Sequence, residues 1–213
     1  DIRVHSGVAT VGREIVTNTA HRYNWVQLAG AIQHPEKNNI QDLSKATGDK
    51  IGIDDASVLL YPCDGYGNPE LLRDVIEREN IDALFLITDP RYFEWLFAME
   101  NEIRSSIPIA YLNIWDDLPA PMYNREFYDS CDALFGISKQ TKNINEMVLG
   151  EKRCKNKVIK YIPHGLDHKI FSPVNKFGEE YLKLKNSLEK DGKMDFKLLY
   201  NSRNIRRKSI PDT

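Results

Sequence analysis

Two cations near the end of the chain, Arg203 and Lys208 in "NSRNIRRKSIPD", stand five residues apart behind the apolar run "FKLLY" (196–200). A guanidinium grips phosphate oxygens in pairs and an ammonium adds a point charge. Two cations fixed beyond a strand end therefore suit a diphosphate, although a basic surface loop reads the same way. A second group, Asn113, Trp115, Asp116 and Asp117, crowds into "LNIWDDLPAPMYNREFYDSCD" (112–132). An indole ring covers the C–H face of a sugar, and carboxylates and amides bond its hydroxyls. The competing reading puts Trp115 in the core and uses the aspartates as helix caps.

Four further stretches sit where ligands gather. Gly7 in "HSGVATVGRE" lies where a strand hands over to a helix, so backbone can approach a phosphate at the helix N-terminus. A tight turn would also need that glycine. Asp64 in "YPCDGYGNPE" (61–70) and Asp89 in "TDPRYFEW" (88–95) each follow an apolar run and can meet a polar ligand. Turn chemistry and a helix start explain them equally well. In "YIPHGLDHKIFSPV" (161–174), Pro163 fixes φ and Gly165 permits a positive φ, so the chain should turn sharply and project His164 and Asp167 near the strand ends.

These positions need a frame, and the apolar pattern supplies one. Residues 24–30, 57–62, 82–88, 107–115, 132–138 and 157–163 are short, β-rich and nearly continuous in apolar residues, as strands buried on both faces are. Between them run helical segments over 68–80, 90–106 and 138–150. The first carries Pro69 in its opening turn, and the last lies between a Ser138 cap and a Gly150 stop. Alternating strands and helices predict an α/β fold with a doubly wound, Rossmann-like parallel sheet, whose functional loops follow the strands. Only "DIRV" precedes the first loop and helix, so the first strand reads as cut short. The segment 181–193 alternates Lys with Leu and reads as a solvated helix.

Composition narrows the function. The 213 residues carry a net charge of −2, which gives no footprint for general nucleic-acid binding. No apolar run approaches the roughly 18 residues of a membrane span, and the first residues do not read as a signal peptide. Cys63, Cys131 and Cys154 are odd in number and lack metal spacing, which points to idle thiols, a reducing compartment and a cytoplasmic location. There is no GxGxxG, which argues against a dinucleotide enzyme. Residues 138–160 carry seven Lys/Arg against two Glu. That stretch is either a solvated helix face or a peripheral contact with anionic lipid or glycan phosphate.

Together these segments resemble the family-4 retaining glycosyltransferases of GT-B architecture. "YIPHGLDHKIFSPV" looks like the loop ending that family's acceptor-binding domain. "LLYNSRNIRRKSIPD" looks like the strand and Arg/Lys loop opening its donor-binding domain. "SGVATVGREI" and "DALFGISKQT" resemble its Gly-containing first loop and a later strand–helix pair. The resemblance implies a GT-B N-terminal domain over 1–174 and a truncated second Rossmann-like domain over 175–213. It implies sugar transfer from a nucleotide-sugar such as UDP- or GDP-hexose to a hydroxyl of a glycan, lipid, protein or small molecule, with retention and without a required metal or cofactor. Gly7, Arg203 and Lys208 would hold the donor phosphates. Where the family often has an acceptor-side His, this chain has none: either Asp116 or Asp117 would serve as the catalytic residue, or that function is altered. The family's Gly positions read Ser202 and Ser209 here, and its donor carboxylate motif would lie beyond residue 213. The 213 residues alone should therefore not be a competent transferase. A catalytically inactive binding or scaffold module with the same fold is the alternative.

Overall fold

The structure, a computed structural model, describes residues 1–189. It has two compact units, Asp1–His164 and a second beginning at Gly165. In the first, α1 (Gly7–Thr19) precedes β1 (Trp25–Ala31). A short β2 (Gln41–Asp42) and α2 (Ser44–Ile51) lead to β3 (Val58–Asp64), then α3 (Pro69–Glu79) and β4 (Leu84–Ile87). Two short helices, α4 (Glu94–Phe97) and α5 (Glu100–Arg104), lead to β5 (Ile109–Asn113). Next come α6 (Arg125–Asp129), β6 (Ala133–Gly136), α7 (Lys139–Leu149), α8 (Glu151–Cys154) and β7 (Val158–Tyr161).

The result is a mixed α/β fold holding a four-stranded, all-parallel sheet in the order β4-β5-β6-β7, flanked by helices and compatible with a Rossmann-like arrangement. The six expected strands are all present. They do not form one continuous sheet: β1 pairs in parallel with β3, and β2 adds antiparallel to β3, making a separate three-stranded sheet. No ladder joins β1 to β4.

Burial explains the central strands, whereas β7, expected to be buried on both faces, is an edge strand with Val158, Lys160 and Tyr161 exposed. β3 buries Val58 and Leu60 on one face and Tyr61 and Cys63 at its end, and β5 buries Ile109, Tyr111, Leu112 and Asn113. A strand covered on both faces has no polar alternation to show in sequence. Two apolar clusters follow from the two sheets. The larger joins Leu86, Ile109, Tyr111 and Leu134 to Leu72 of α3 and Ile144 and Val148 of α7. The smaller joins Ile2, Val16, Ala29, Val58 and Leu60.

The helix ends are set by local chemistry. The Ser138 hydroxyl accepts from the Thr141 N–H and starts α7, and Gly150, at φ 75°, ends it. The Asn68 side chain accepts from the Leu71 N–H and Pro69 opens α3, which Asn80 closes in the left-handed region. The expected single helix over 90–106 is instead a 3-10 turn (Pro90–Phe93) followed by α4 and α5. Phe93 and Met99 leave helical geometry between the pieces, which lets Leu96, Phe97 and Ile103 all reach the core. No apolar run marks β2 and α2, whose residues are mostly polar, and the sequence reading missed both.

Asp132 holds the start of the parallel sheet. Its carboxylate accepts from the Ile109 N–H at 2.8 Å and from Arg104 at 2.9 Å. Burial pushes its pKa up, but the Ile109 N–H and the Arg104 guanidinium outweigh it, so the folded pKa lies below the usual carboxylate value. A depressed folded pKa contributes stability above the unfolded pKa and loses it as pH falls through the folded one. Asp132→Asn should therefore lower stability at neutral pH by at most about 1 kcal/mol after solvent screening. The gap to wild type should close below about pH 4, as urea midpoints across pH 2–7 will register.

In the second unit, the Asp167 carbonyl accepts from the Ile170 and Phe171 N–H groups, forming a turn. α9 (Glu179–Leu188) follows, with no buried residue, as the solvated-helix reading expects. Gly165 does not adopt the left-handed backbone expected of it. The turn is made two residues later, where the Asp167 carboxylate accepts from the Lys169 N–H. Among the described residues, no helix is long and apolar enough to cross a membrane.

Candidate functional site

The carboxyl ends of β4 and β5 open into a cavity of about 280 Å³. That is close to the lower limit of small-molecule sites, roughly 300 Å³. Thr88, Asp89 and Tyr92 line one side, and Asn113, Trp115 and Asp116 line the other. Four sequence-derived candidates thus converge: Asp89, Asn113, Trp115 and Asp116.

The chain leaves β5 because of Asn113. Its Oδ1 accepts from the Trp115 N–H at 3.0 Å, which turns the backbone out of the sheet. Its Nδ2 donates to the Tyr128 hydroxyl at 2.8 Å and to Asn145 Oδ1 at 2.6 Å. Asn113 is 1% exposed and its amide is committed to the protein. It lines the cavity and shapes it, with no amide group left over. Trp115 is pinned twice more: its indole N–H donates to the Asp117 carbonyl, and its own carbonyl accepts from the buried Thr141 hydroxyl of α7. The Asp116 side chain is exposed at the rim. Asp117 caps its own turn, accepting from the Leu118 N–H.

Asp89 takes a different posture. Its carboxylate caps the Pro90–Phe93 turn and faces the Arg91 guanidinium through both oxygens. The Arg91 contact, more than any other influence, holds its pKa below the usual range and outweighs burial. It is an ionised acceptor, unsuited to donating a proton at neutral pH. The residue before it, Thr88, sits at φ 96°, a left-handed backbone that β-branched residues rarely adopt. Its carbonyl accepts from the Tyr111 hydroxyl at 2.7 Å, which holds that conformation.

Aromatic rings border both sides. Tyr92 stacks on Tyr66 with centroids 4.4 Å apart and planes 6° from parallel. Trp115 meets Tyr123 edge-on at 6.0 Å. Tyr66, Tyr92 and Tyr123 are 42–63% exposed. The sequence reading passed over Tyr66 and Tyr92. Each lies in a loop just after a strand, which is the signal that marked Asp64 and Asp89.

The other candidates lie apart from this cavity. The Asp64 carboxylate accepts from the His34 N–H at 2.8 Å and pairs with Lys37 at 2.6 Å, so it organises the loop after β1. Gly7 is the first residue of α1, behind the Ser6 cap, and a side chain there would meet nothing within 4 Å. Gly7→Ala should therefore preserve or raise stability, by up to about 1 kcal/mol, because alanine is the better helix former. If bare backbone at Gly7 meets a ligand, the same substitution weakens binding, and thermal melting alongside a binding titration separates the effects. His164 is exposed at the end of the first unit. Arg203, Lys208 and the 196–200 run lie outside the described residues.

Of the seven cations in 138–160, Lys142, Arg153, Lys155 and Lys157 pair with Glu146, Asp129 and Glu151. Pairing neutralises much of the patch and favours the solvated-face reading. Cys63 and Cys131 are buried and Cys154 partly so, and all three thiols are free.

No protein-family model, curated protein or solved structure matches this chain.

Proposed function

We propose that this chain is the acceptor-side part of a retaining, nucleotide-sugar-dependent glycosyltransferase of GT-B type, with family-4 character. The carrying observation is the cavity beyond β4 and β5, where Tyr92 and Trp115 offer aromatic faces and Asp89 and Asp116 offer acceptors. Rings for the C–H face of a sugar and oxygens for its hydroxyls are the elements carbohydrate recognition needs. The site lies at the carboxyl ends of parallel strands, where α/β sheets bind ligands. The donor would be a UDP- or GDP-hexose, its diphosphate held by Arg203 and Lys208, which stabilise the charge on the departing nucleotide. Asp116, exposed at the rim, is better placed than Asp117 to meet an acceptor hydroxyl. No cofactor enters the reaction.

The test is transfer by the full-length gene product from UDP- and GDP-hexoses, with product configuration read by NMR. Arg203→Ala and Lys208→Ala should each lower kcat by about 10²-fold or more. Tyr92→Ala should raise the acceptor KM by about three- to tenfold, the value of one aromatic contact. A non-catalytic sugar-binding module is the second reading. It is favoured by the commitment of Asp89 to Arg91 and of the Asn113 amide to the protein. Sugar binding sensitive to Tyr92→Ala, with no turnover of any donor, would establish it.

A further inference from the structure

β1 and β4 each close their sheet on an unpaired edge: β1 bonds only to β3, and β4 only to β5. Both belong to the first compact unit, and their side chains meet. Trp25, at the start of β1, stands 6.4 Å from Phe85, near the start of β4, between ring centroids. Leu28 of β1 packs against the cluster built on β4, β5 and β6. Beyond the strands, Leu28 and Trp95 both close on Gly67. Two sheets are thus held together by side chains across an interval that no backbone hydrogen bond spans among the described residues. Each flanking strand buries one residue, Ala29 fully and Leu86 to 7% exposure, and the rest of both strands is half-buried. Unpaired N–H and C=O groups in such a layer are costly, and two facing edges are a template for one more strand.

We propose that the interval between β1 and β4 is a strand slot, and that the polypeptide leading into Asp1 fills it as a parallel strand, uniting both sheets. The first residues lie where such a strand would exit. Ile2 is buried and its N–H donates to the Gln27 side chain of β1 at 2.9 Å. The Asp1 carboxylate bonds the buried His34, just past the end of β1, at 3.0 Å. Ser6 then caps α1, which returns the chain to the start of β1. Strand, α1 and β1 form the crossover unit that joins neighbouring parallel strands. A strand from a second molecule would have no such exit into Asp1.

Filling the slot gives the order β2-β3-β1-slot-β4-β5-β6-β7. The connections reverse direction at the slot, which makes its carboxyl end the switch-point crevice of an open α/β sheet. The Asp1–Ser6 loop would then border β4, whose end carries Thr88 and Asp89. The slot does not rest on the glycosyltransferase reading, because any α/β enzyme or binding module of this topology would need it.

The test is amide hydrogen exchange and NOE spectroscopy on the full-length gene product. A filled slot protects successive amides throughout β1 and β4, each slowed at least about 10³-fold. NOEs should run from residues preceding Asp1 to both strands. Alternating protection, with every second amide of β1 and β4 exchanging fast, would overturn the proposal by showing open edges. So would direct β1–β4 cross-strand NOEs, NOEs to a later segment or a second chain, or a native product that begins at Asp1.

Discussion

Gly30→Ala is expected to destabilise the first unit by more than about 3 kcal/mol, enough to unfold a marginally stable domain. A Cβ at Gly30 would stand 2.2 Å from the Gly65 carbonyl oxygen, far inside any real contact. That oxygen cannot swing away as a side chain would. Gly65 donates its own N–H to the Ala31 carbonyl at 2.6 Å, and Gly30 lies opposite Cys63 in the β1–β3 ladder. Relief requires parting the strands at their carboxyl ends, which also moves Tyr66 and its stack with Tyr92. Urea unfolding is the measurement. A loss under about 1 kcal/mol would mean that this end of the sheet opens easily, and that Tyr66 is not rigidly positioned. Gly7→Ala is the internal contrast, since the same methyl there meets open space.

Gly30 illustrates what the sequence could not disclose. The alternation of strands and helices was legible because both faces of the central strands are buried and read as apolar runs. The caps Ser138 and Gly150 were legible because each acts on its own neighbours, and Asn68, which acts as locally, was passed over in favour of Pro69. The close approach of Gly30 to Gly65 joins residues 35 positions apart and leaves no local trace. The break between the sheets is equally silent, since edge pairing depends on what lies beside a strand. At the site, the sequence brought forward Asp89, Asn113, Trp115 and Asp116 because they follow strands. It did not separate Asn113, consumed by internal bonds, from Asp116, left at the rim. Nor did it reveal Thr88, whose strained backbone depends on Tyr111 across the sheet. Asp64 shows the reverse: the right kind of residue after a strand, already occupied by Lys37 and the His34 N–H.

Asn113→Ala is expected to cost about 3–5 kcal/mol and to disorder the Trp115 loop together with the core beneath it. The Asn113 side chain is a junction in a buried polar chain. Its Oδ1 holds the Trp115 N–H and its Nδ2 serves both Tyr128 and Asn145. Each buried group stripped of its partner costs about 1–3 kcal/mol, and this substitution strips several at once. Asn145 is the most exposed to the loss. Its Nδ2 already has no hydrogen-bond partner among the described residues, so removing Asn113 leaves neither end of a fully buried amide satisfied there. The two substitutions should therefore be strongly non-additive, with Asn113→Ala/Asn145→Ala costing at least about 1 kcal/mol less than the sum of the singles. Denaturation of the four proteins in that cycle measures the coupling. Additive losses would mean that the two amides are held independently and the chain is not a network. If the coupling is found, the Trp115 face of the cavity is anchored from inside the core. If the cavity takes a ligand through Trp115, its affinity should then fall in Asn113→Ala even where temperature or osmolyte restores the fold, because the ring has lost the bond that turns it out of the sheet.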